Sequence, residues 1–206
     1  MRDFNLKDFD RVLIVEGYSD LHFYNAVLKA IGLRDRVYIK QLGGKDELVV
    51  KLETFITPVL LAEKKAIAVI VDADGNPAGT FTQIQTALAK AIGQQVPAAG
   101  QWTAGPPKIG IFIVPNAEST GEIETLVWRA WSADPANASA KTCIANYIRC
   151  MAETGVNPQS PDKGLIGALL AIRNDDDPRL GPGAREDVFN LHAAEYEPLR
   201  TFLSGF

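Results

Sequence analysis

The chain has little of what marks several large protein classes. Its 206 residues include only two cysteines, two histidines and two methionines. Cys143 and Cys150 lie seven apart in a predicted helix, a spacing that offers neither a disulfide framework nor a zinc pattern. Their expected place is the interior, as small hydrophobes. His22 and His192 each fall in a predicted helical stretch without a nearby nucleophile or a ligand partner at regular spacing, so neither receives a catalytic role. No apolar run approaches the roughly 20 residues needed to cross a bilayer, and Met1-Arg2-Asp3-Phe4-Asn5 lacks the apolar region of a signal peptide. The expectation is a cytoplasmic protein without a membrane partner. There is no Gly-x-x-x-x-Gly-Lys-Ser/Thr phosphate loop, so any ATPase would have to be a partner chain. Internal repeats, heptads and low-complexity tracts are missing. Asp175-Asp176-Asp177 is the only acidic run and reads as a solvated loop before Pro178. Lysine and arginine number 21 against 25 acidic residues, a net charge of -4, which argues against broad electrostatic adhesion to nucleic acid. Such a contact has to be local, or assisted by a metal or a partner.

Hydrophobic residues make up 47% of the chain, enough for a core, and their pattern alternates between strand and helix. Arg11 to Glu16 is a short apolar run, followed by Leu21, Tyr24, Leu28 and Ile31 at helical spacing up to Gly32. Val37 to Gln41 gives a second strand. After the Gly43-Gly44 turn, Leu48, Leu52, Phe55, Ile56 and Val59 mark one face of a helix. Ala66 to Val71 is a third strand, and Phe81, Ile84, Leu88 and Ile92 a third helix. From Gly93 to Lys108 the composition predicts a surface excursion, and Ile109 to Val114 a fourth strand. Helical patterns then cover Ile123 to Trp131, Cys143 to Ala152, Leu165 to Ile172 and Val188 to Leu203. Strands separated by helices predict an α/β, Rossmann-like fold with a mostly parallel four-stranded sheet. The expected organisation is a core over residues 1–132 and a helical extension over 133–206 packed on it.

Two of these strands end in carboxylates. Glu16 closes the first apolar run and Asp20 follows by four residues; the third strand runs into Asp72-Ala73-Asp74-Gly75. Open α/β sheets place ligand sites at the carboxyl ends of their strands. Carboxylates gathered there repel one another unless a cation joins them, which points to Mg²⁺ or Mn²⁺. Asp72 and Asp74, alternate residues on an extended segment, point the same way and can share a metal. Each acid also has an ordinary reading: Glu16 as a strand end meeting water, Asp20 as a favourable charge in the first turn of a helix, and the Asp-rich turn as a helix cap.

The set Glu16-Gly17-x-x-Asp20 followed by Asp72-x-Asp74 resembles a Toprim domain, the catalytic fold of topoisomerases, primases and OLD-family nucleases. The resemblance covers roughly residues 9–130. It implies that Glu16, Asp72 and Asp74 are catalytic and, with Asp20, surround the divalent cation at the edge of a small parallel sheet. Topoisomerases and primases usually carry Asp-x-Asp-x-x-Gly, whereas here Gly75 follows at once and Pro77 takes the usual glycine position. The chain also has no topoisomerase tyrosine domain and no zinc-binding primase module. Val114-Pro115 followed by Gly121-Glu122-Ile123-Glu124-Thr125-Leu126 is more similar to the OLD type, in which a further glutamate here completes the site.

Ser119 with Glu122 matches a capping box, which gives Glu122 a structural duty. On a regular helix Glu122 and Glu124 stand about 200° apart and do not face one metal together. By resemblance and elimination Glu124 is the expected ligand. Ser160-Pro161-Asp162 reads as an N-cap, a proline at the first helical position and a favourable acid, which puts Lys163 at the unfavourable end of a helix. OLD-type nucleases similarly carry a downstream lysine, so the resemblance makes Lys163 the residue that stabilises charge on a phosphate. Trp102, Trp128 and Trp131 can stack bases, but packing is their expected role.

The resulting expectation is metal-dependent phosphodiester hydrolysis of DNA or RNA, in defence against phage or mobile DNA, with an ATPase partner chain or a homodimer as the assembly. The competing expectation is a regulatory or binding module that keeps the fold without turnover; nucleotidyl transfer is a third. A basic cleft joining Lys40, Lys45 and Lys163 to the acidic rim would favour the nuclease.

Overall fold

A computed structural model describes residues 5–174 and 176–206. Residues 1–4, on which the reading of the N-terminus rests, and Asp175 of the acidic run lie outside the described residues. Four strands form the expected α/β architecture: β1 (Arg11–Val15), β2 (Val37–Gln41), β3 (Ala66–Asp72) and β4 (Lys108–Val114). Their order is β2-β1-β3-β4, and all three pairings are parallel. The chain leaves β1 toward one edge and later returns to its other side, so the order reverses between β1 and β3. Such a switch point is where an open parallel sheet has its crevice.

Side-chain alternation divides the core into two layers. Val12 and Ile14 of β1 face a layer built by α2 (Lys45–Phe55) and α4 (Pro77–Ile92), with Leu48, Leu52, Ile84 and Leu88 buried in it. Leu13 and Val15 face the opposite layer, where α1 (Tyr18–Ala30) and α5 (Ile123–Ala133) lie. The C-terminal elements share this second layer: Leu169 and Leu170 of α7 (Pro161–Arg173), Ala184 of α8 (Leu180–Arg185), and Leu199, Phe202 and Leu203 of α9 (Glu197–Leu203). The extension therefore completes one face of the sheet. Among the described residues no helix is long and apolar enough to cross a membrane.

Away from the carboxylate edge of the sheet, the structure departs from the sequence expectations in three places. The helix expected through Val59 breaks at Ile56; Thr57 caps a separate α3 (Pro58–Glu63) by accepting from the Leu60 N–H at 3.2 Å, and Val59 is exposed. Proline cannot continue the preceding helix but suits the first turn of the next. At the C-terminus, α8 precedes the expected helical stretch, while residues 188–193, His192 among them, are not helical. The Leu180-Gly181-Pro182-Gly183 sequence has poor helix propensity. It is helical because it lies hard against α1, where a Cβ on Gly181 would come within 2.4 Å of His22 Cβ and 2.8 Å of the Ser19 carbonyl.

The cysteines are the third departure. Both are exposed, on α6 (Ala138–Glu153), whose one buried residue is Ile144. Seven residues make nearly two full turns, so Cys143 and Cys150 share a face; that face is turned from the core. Elsewhere the packing expectation describes what is seen. Trp128 stacks on Trp131 at 5.3 Å, and Trp102 stacks on Phe202 at 4.8 Å while donating its indole N–H to the Phe202 carbonyl at 3.0 Å.

Candidate metal centre at the carboxyl edge of the sheet

The crevice between β1 and β3 is built from the ends of the strands. Beyond β1, Gly43 N–H donates to the Glu16 carbonyl at 3.0 Å and extends the β1–β2 pairing past the strand. That hydrogen bond fixes the Glu16 backbone at the rim. Its side chain turns toward β3, where Oε1 accepts the backbone N–H of Asp72 at 3.0 Å. Gly17 N–H donates to Asp20 Oδ2 at 2.7 Å, so Asp20 also serves the start of α1.

Asp72 ends β3, and its Oδ1 accepts the N–H of Ile123, the first residue of α5, at 2.9 Å. Asp74 meets it by a route other than strand alternation. The Ala73 N–H still pairs with Val114 O at 2.7 Å, but Asp74 then adopts a left-handed conformation, φ 49°, clamped to Gly121 by two backbone hydrogen bonds of 2.8 Å. A non-glycine residue held at positive φ is a strained backbone, and such strain gathers at functional sites. Gly121 itself, at φ 131°, has no room for a side chain, since a Cβ would approach Thr125 Oγ1 within 2.6 Å.

This clamp brings a different glutamate into the site from the one expected. Ligand oxygens of Asp72, Asp74 and Glu122 all lie within 4.8 Å of one another; Glu124 is not in that group. The expected Ser119–Glu122 capping box is not formed. Glu122 is itself the N-cap of α5, in extended conformation at φ -139° and ψ -177°, and its N–H donates to the Thr125 hydroxyl oxygen at 3.1 Å. The helical 200° argument therefore does not apply to Glu122, which stands outside the helix. Glu124, in the first turn, remains close enough to raise Asp72 through its charge and to be raised itself by that of Asp20.

Burial and crowding set the protonation of this cluster. Asp72 is held well above the usual carboxylate range, first by burial and then by Asp20, Glu16, Glu124 and Asp74. Burial likewise raises Glu16, Asp20 and Glu124. Beneath them lies Tyr24, one helical turn from Asp20 and buried; burial, then Asp72, Asp20, Glu16 and Glu124, push its phenol far up. Sequence periodicity identifies Tyr24 only as a core position, although its i+4 spacing from Asp20 puts both on one face of α1.

Two lysines border the acids from opposite sides. Lys45, at the start of α2, pairs with Asp74 Oδ2 and reaches Thr80 Oγ1 at 3.2 Å. Lys163 pairs with Glu122 Oε2, while Ser160 donates its hydroxyl to Glu122 Oε1. Ser160 is the N-cap of α7, accepting from the Lys163 N–H at 3.2 Å, with Pro161 in the first turn. Burial disfavours the Lys163 ammonium, but Glu122 and then Glu124 outweigh it and hold its pKa above the ordinary lysine value. Thr125 Oγ1 donates to Asp162 Oδ2 at 2.6 Å, so three side-chain contacts join the starts of α5 and α7. Lys40 lies instead over the Phe55 ring, 5.8 Å from its centroid.

A family-level sequence model described as "Protein of unknown function (DUF3226)" matches residues 10–206. The chain belongs to the DUF3226 family. No curated protein and no solved structure matches this DUF3226 member, so its chemistry rests on the donor set. All donors in the triad are carboxylate oxygens, which suits a hard cation. Opposite oxygens around octahedral Mg²⁺ stand about 4.2 Å apart, twice a bond of about 2.1 Å. The 4.8 Å spread of the triad meets that span with a small side-chain adjustment. A cation would also relieve the repulsion that raises Asp72. Asp72, Asp74 and Glu122 fit Mg²⁺ or Mn²⁺, with Glu16, Asp20 and Glu124 placed around them.

Proposed function

We propose that this protein is a divalent-metal-dependent phosphodiesterase acting on nucleic acid, similar to Toprim nucleases of the OLD type. The observation that carries the reading is the convergence of Asp72, Asp74 and Glu122 at the switch point of a parallel sheet, bordered on both sides by lysine. A bound Mg²⁺ or Mn²⁺ supplies a polarised phosphoryl group and a water acidic enough to attack it near neutral pH. Asp72, fixed by the Ile123 N–H, anchors the acidic set, and Asp74 and Glu122 close it from the two neighbouring loops. Glu16, whose burial favours its protonated form, is suited to take a proton from the attacking water. Lys163, with 41% of its side chain exposed, is placed to neutralise charge that builds on a phosphate oxygen. Lys45, more deeply buried, pairs with Asp74 and adds a second cation at the border of the acidic set. These local cations answer the net charge of -4, because the phosphates need only the crevice to be basic at its borders.

A second reading is a regulatory module without turnover, and one observation favours it. The ammonium groups of Lys45 and Lys163 already neutralise Asp74 and Glu122 from within the chain. The deciding experiment incubates labelled plasmid, single-stranded DNA and RNA with Mg²⁺ or Mn²⁺ and compares wild type with Asp72→Asn and Glu122→Gln. The nuclease reading expects metal-dependent cutting that both substitutions abolish in folded protein. Absence of cutting on all three substrates, together with no calorimetric metal binding, would leave the regulatory module.

A further inference from the structure

Both carboxylate oxygens of Glu122 are engaged by the chain itself, Oε1 by the Ser160 hydroxyl and Oε2 by the Lys163 ammonium. On the other side of the crevice the Lys45 ammonium pairs with Asp74 Oδ2. Two of the three acids able to share a cation are therefore neutralised by side chains from α2 and α7. A lysine and a metal ion do not share such an oxygen on equal terms. Two cations on one carboxylate oxygen stand at most about 5 Å apart, the sum of a metal bond of about 2.1 Å and a charge-assisted hydrogen bond of about 2.8 Å. Only 18% of the Lys45 side chain and 10% of the Glu122 side chain are exposed, so water screens that repulsion weakly. Ammonium and metal ion compete for Asp74 and Glu122.

Each lysine also has a second partner within the chain. Lys45 Nζ donates to Thr80 Oγ1 at 3.2 Å, and the Thr80 hydroxyl donates to the Ala73 carbonyl at 3.3 Å. An ammonium carries three donors, so Lys45 keeps Thr80 when Asp74 is taken. Lys163 feels the charge of Glu124 as well as that of Glu122. Glu124 stands in the first turn of α5, outside the Asp72–Asp74–Glu122 group, and offers Lys163 a carboxylate that the triad does not use.

We propose that Lys45 and Lys163 are exchangeable counter-ions of the metal centre, neutralising Asp74 and Glu122 until a divalent cation displaces both ammoniums, Lys45 onto Thr80 and Lys163 toward Glu124. On the phosphodiesterase reading, the lysines are thereby released for a phosphate only once the cation is in place. The exchange rests on the metal-binding part of that reading and not on turnover.

The test uses the full chain without nucleic acid. Calorimetry with Mn²⁺ compares wild type with Lys45→Met, Lys163→Met and the double variant, in which methionine keeps an unbranched stem and removes the charge. Acetylation of lysines by a soluble active ester, mapped by mass spectrometry, follows the same two amines in wild type with and without Mn²⁺. That arm needs no substituted chain to fold. Affinity is expected to be about tenfold or more tighter in the double variant, because no ammonium opposes the incoming charge. Saturating Mn²⁺ is expected to speed acetylation of Lys45 and Lys163 severalfold and to leave Lys29, at the far end of α1, unchanged. Binding of Mn²⁺ only after the lysines are removed also supports the competition. Wild-type binding that the double variant does not improve, or that leaves either amine as unreactive as before, overturns the exchange and leaves the metal centre standing. Absence of binding to wild type and variants alike overturns both.

Discussion

The carboxylate of Glu16 accepts the backbone N–H of Asp72 over 3.0 Å, so the last residue of β3 is tied to the residue that follows β1. One hydrogen bond thus closes the edge of the sheet at the point where the strand order reverses. It also gives Glu16 a structural duty alongside the chemical one. Glu16→Gln keeps an acceptor for that N–H, while Glu16→Ala leaves it without one. Urea unfolding is expected to show Glu16→Ala less stable than Glu16→Gln by about 1 kcal/mol.

Metal binding has a signature that does not depend on turnover. A ligand that binds only the folded state at 100 times its Kd stabilises it by about 2.7 kcal/mol. Saturating Mn²⁺ or Mg²⁺ is expected to raise the melting temperature of the wild type and of Glu124→Gln, and to leave Asp72→Asn and Glu122→Gln nearly unmoved. An equal shift in all four proteins would remove the Asp72–Asp74–Glu122 centre.

The acidic cluster also predicts a pH dependence in the presence of a chelator. Asp72, Glu16, Asp20 and Glu124 hold protons more tightly in the folded state than in the unfolded chain. Above the ordinary carboxylate pKa of about 4 the folded state therefore binds more protons, and stability falls as pH rises until the raised pKa values are passed. Asp72→Asn, which keeps an acceptor for the Ile123 N–H, is expected to flatten that slope. It should stabilise the metal-free protein at neutral pH by about 1 kcal/mol or more. Denaturant midpoints measured from pH 4 to 8 check it; a wild-type midpoint that rises across this interval contradicts it.

Gly121 is the backbone clamp on Asp74. Gly121→Ala places a methyl group where Thr125 now stands and forces a side chain into a left-handed region, which costs about 1–3 kcal/mol. The expected result is a folded but destabilised protein whose Mn²⁺ affinity, measured by calorimetry, drops because Asp74 loses its position.

The two thiols are on the outer face of α6. Both Cys143 and Cys150 are expected to react with a thiol-specific reagent under native conditions without a lag. Release of a thiol only after denaturation would return that residue to the interior.

Strand content, strand order of magnitude in length and the carboxylates at two strand ends were legible in the linear sequence, because strand periodicity and the chemistry of Asp and Glu are local properties. The N-terminal cap of α7 at Ser160-Pro161 was legible for the same reason. Which glutamate joins Asp72 and Asp74 was not. Glu122 enters the site because Gly121 pairs with Asp74 and because the extended Glu122 precedes α5, both consequences of two loops meeting in space. Lys45 and Lys163 lie 118 positions apart in the chain and border one acidic cluster, at Asp74 and Glu122, for that reason. The helix at Gly181-Pro182-Gly183 exists against local propensity, since packing on α1 outweighs it. The sequence by itself determined the parallel α/β sheet, through the alternation of apolar strands and amphipathic helices, and the acidic chemistry at its edge. Only the tertiary structure decided the membership of the site and the exposure of the cysteines, since both depend on which surfaces long-range packing covers.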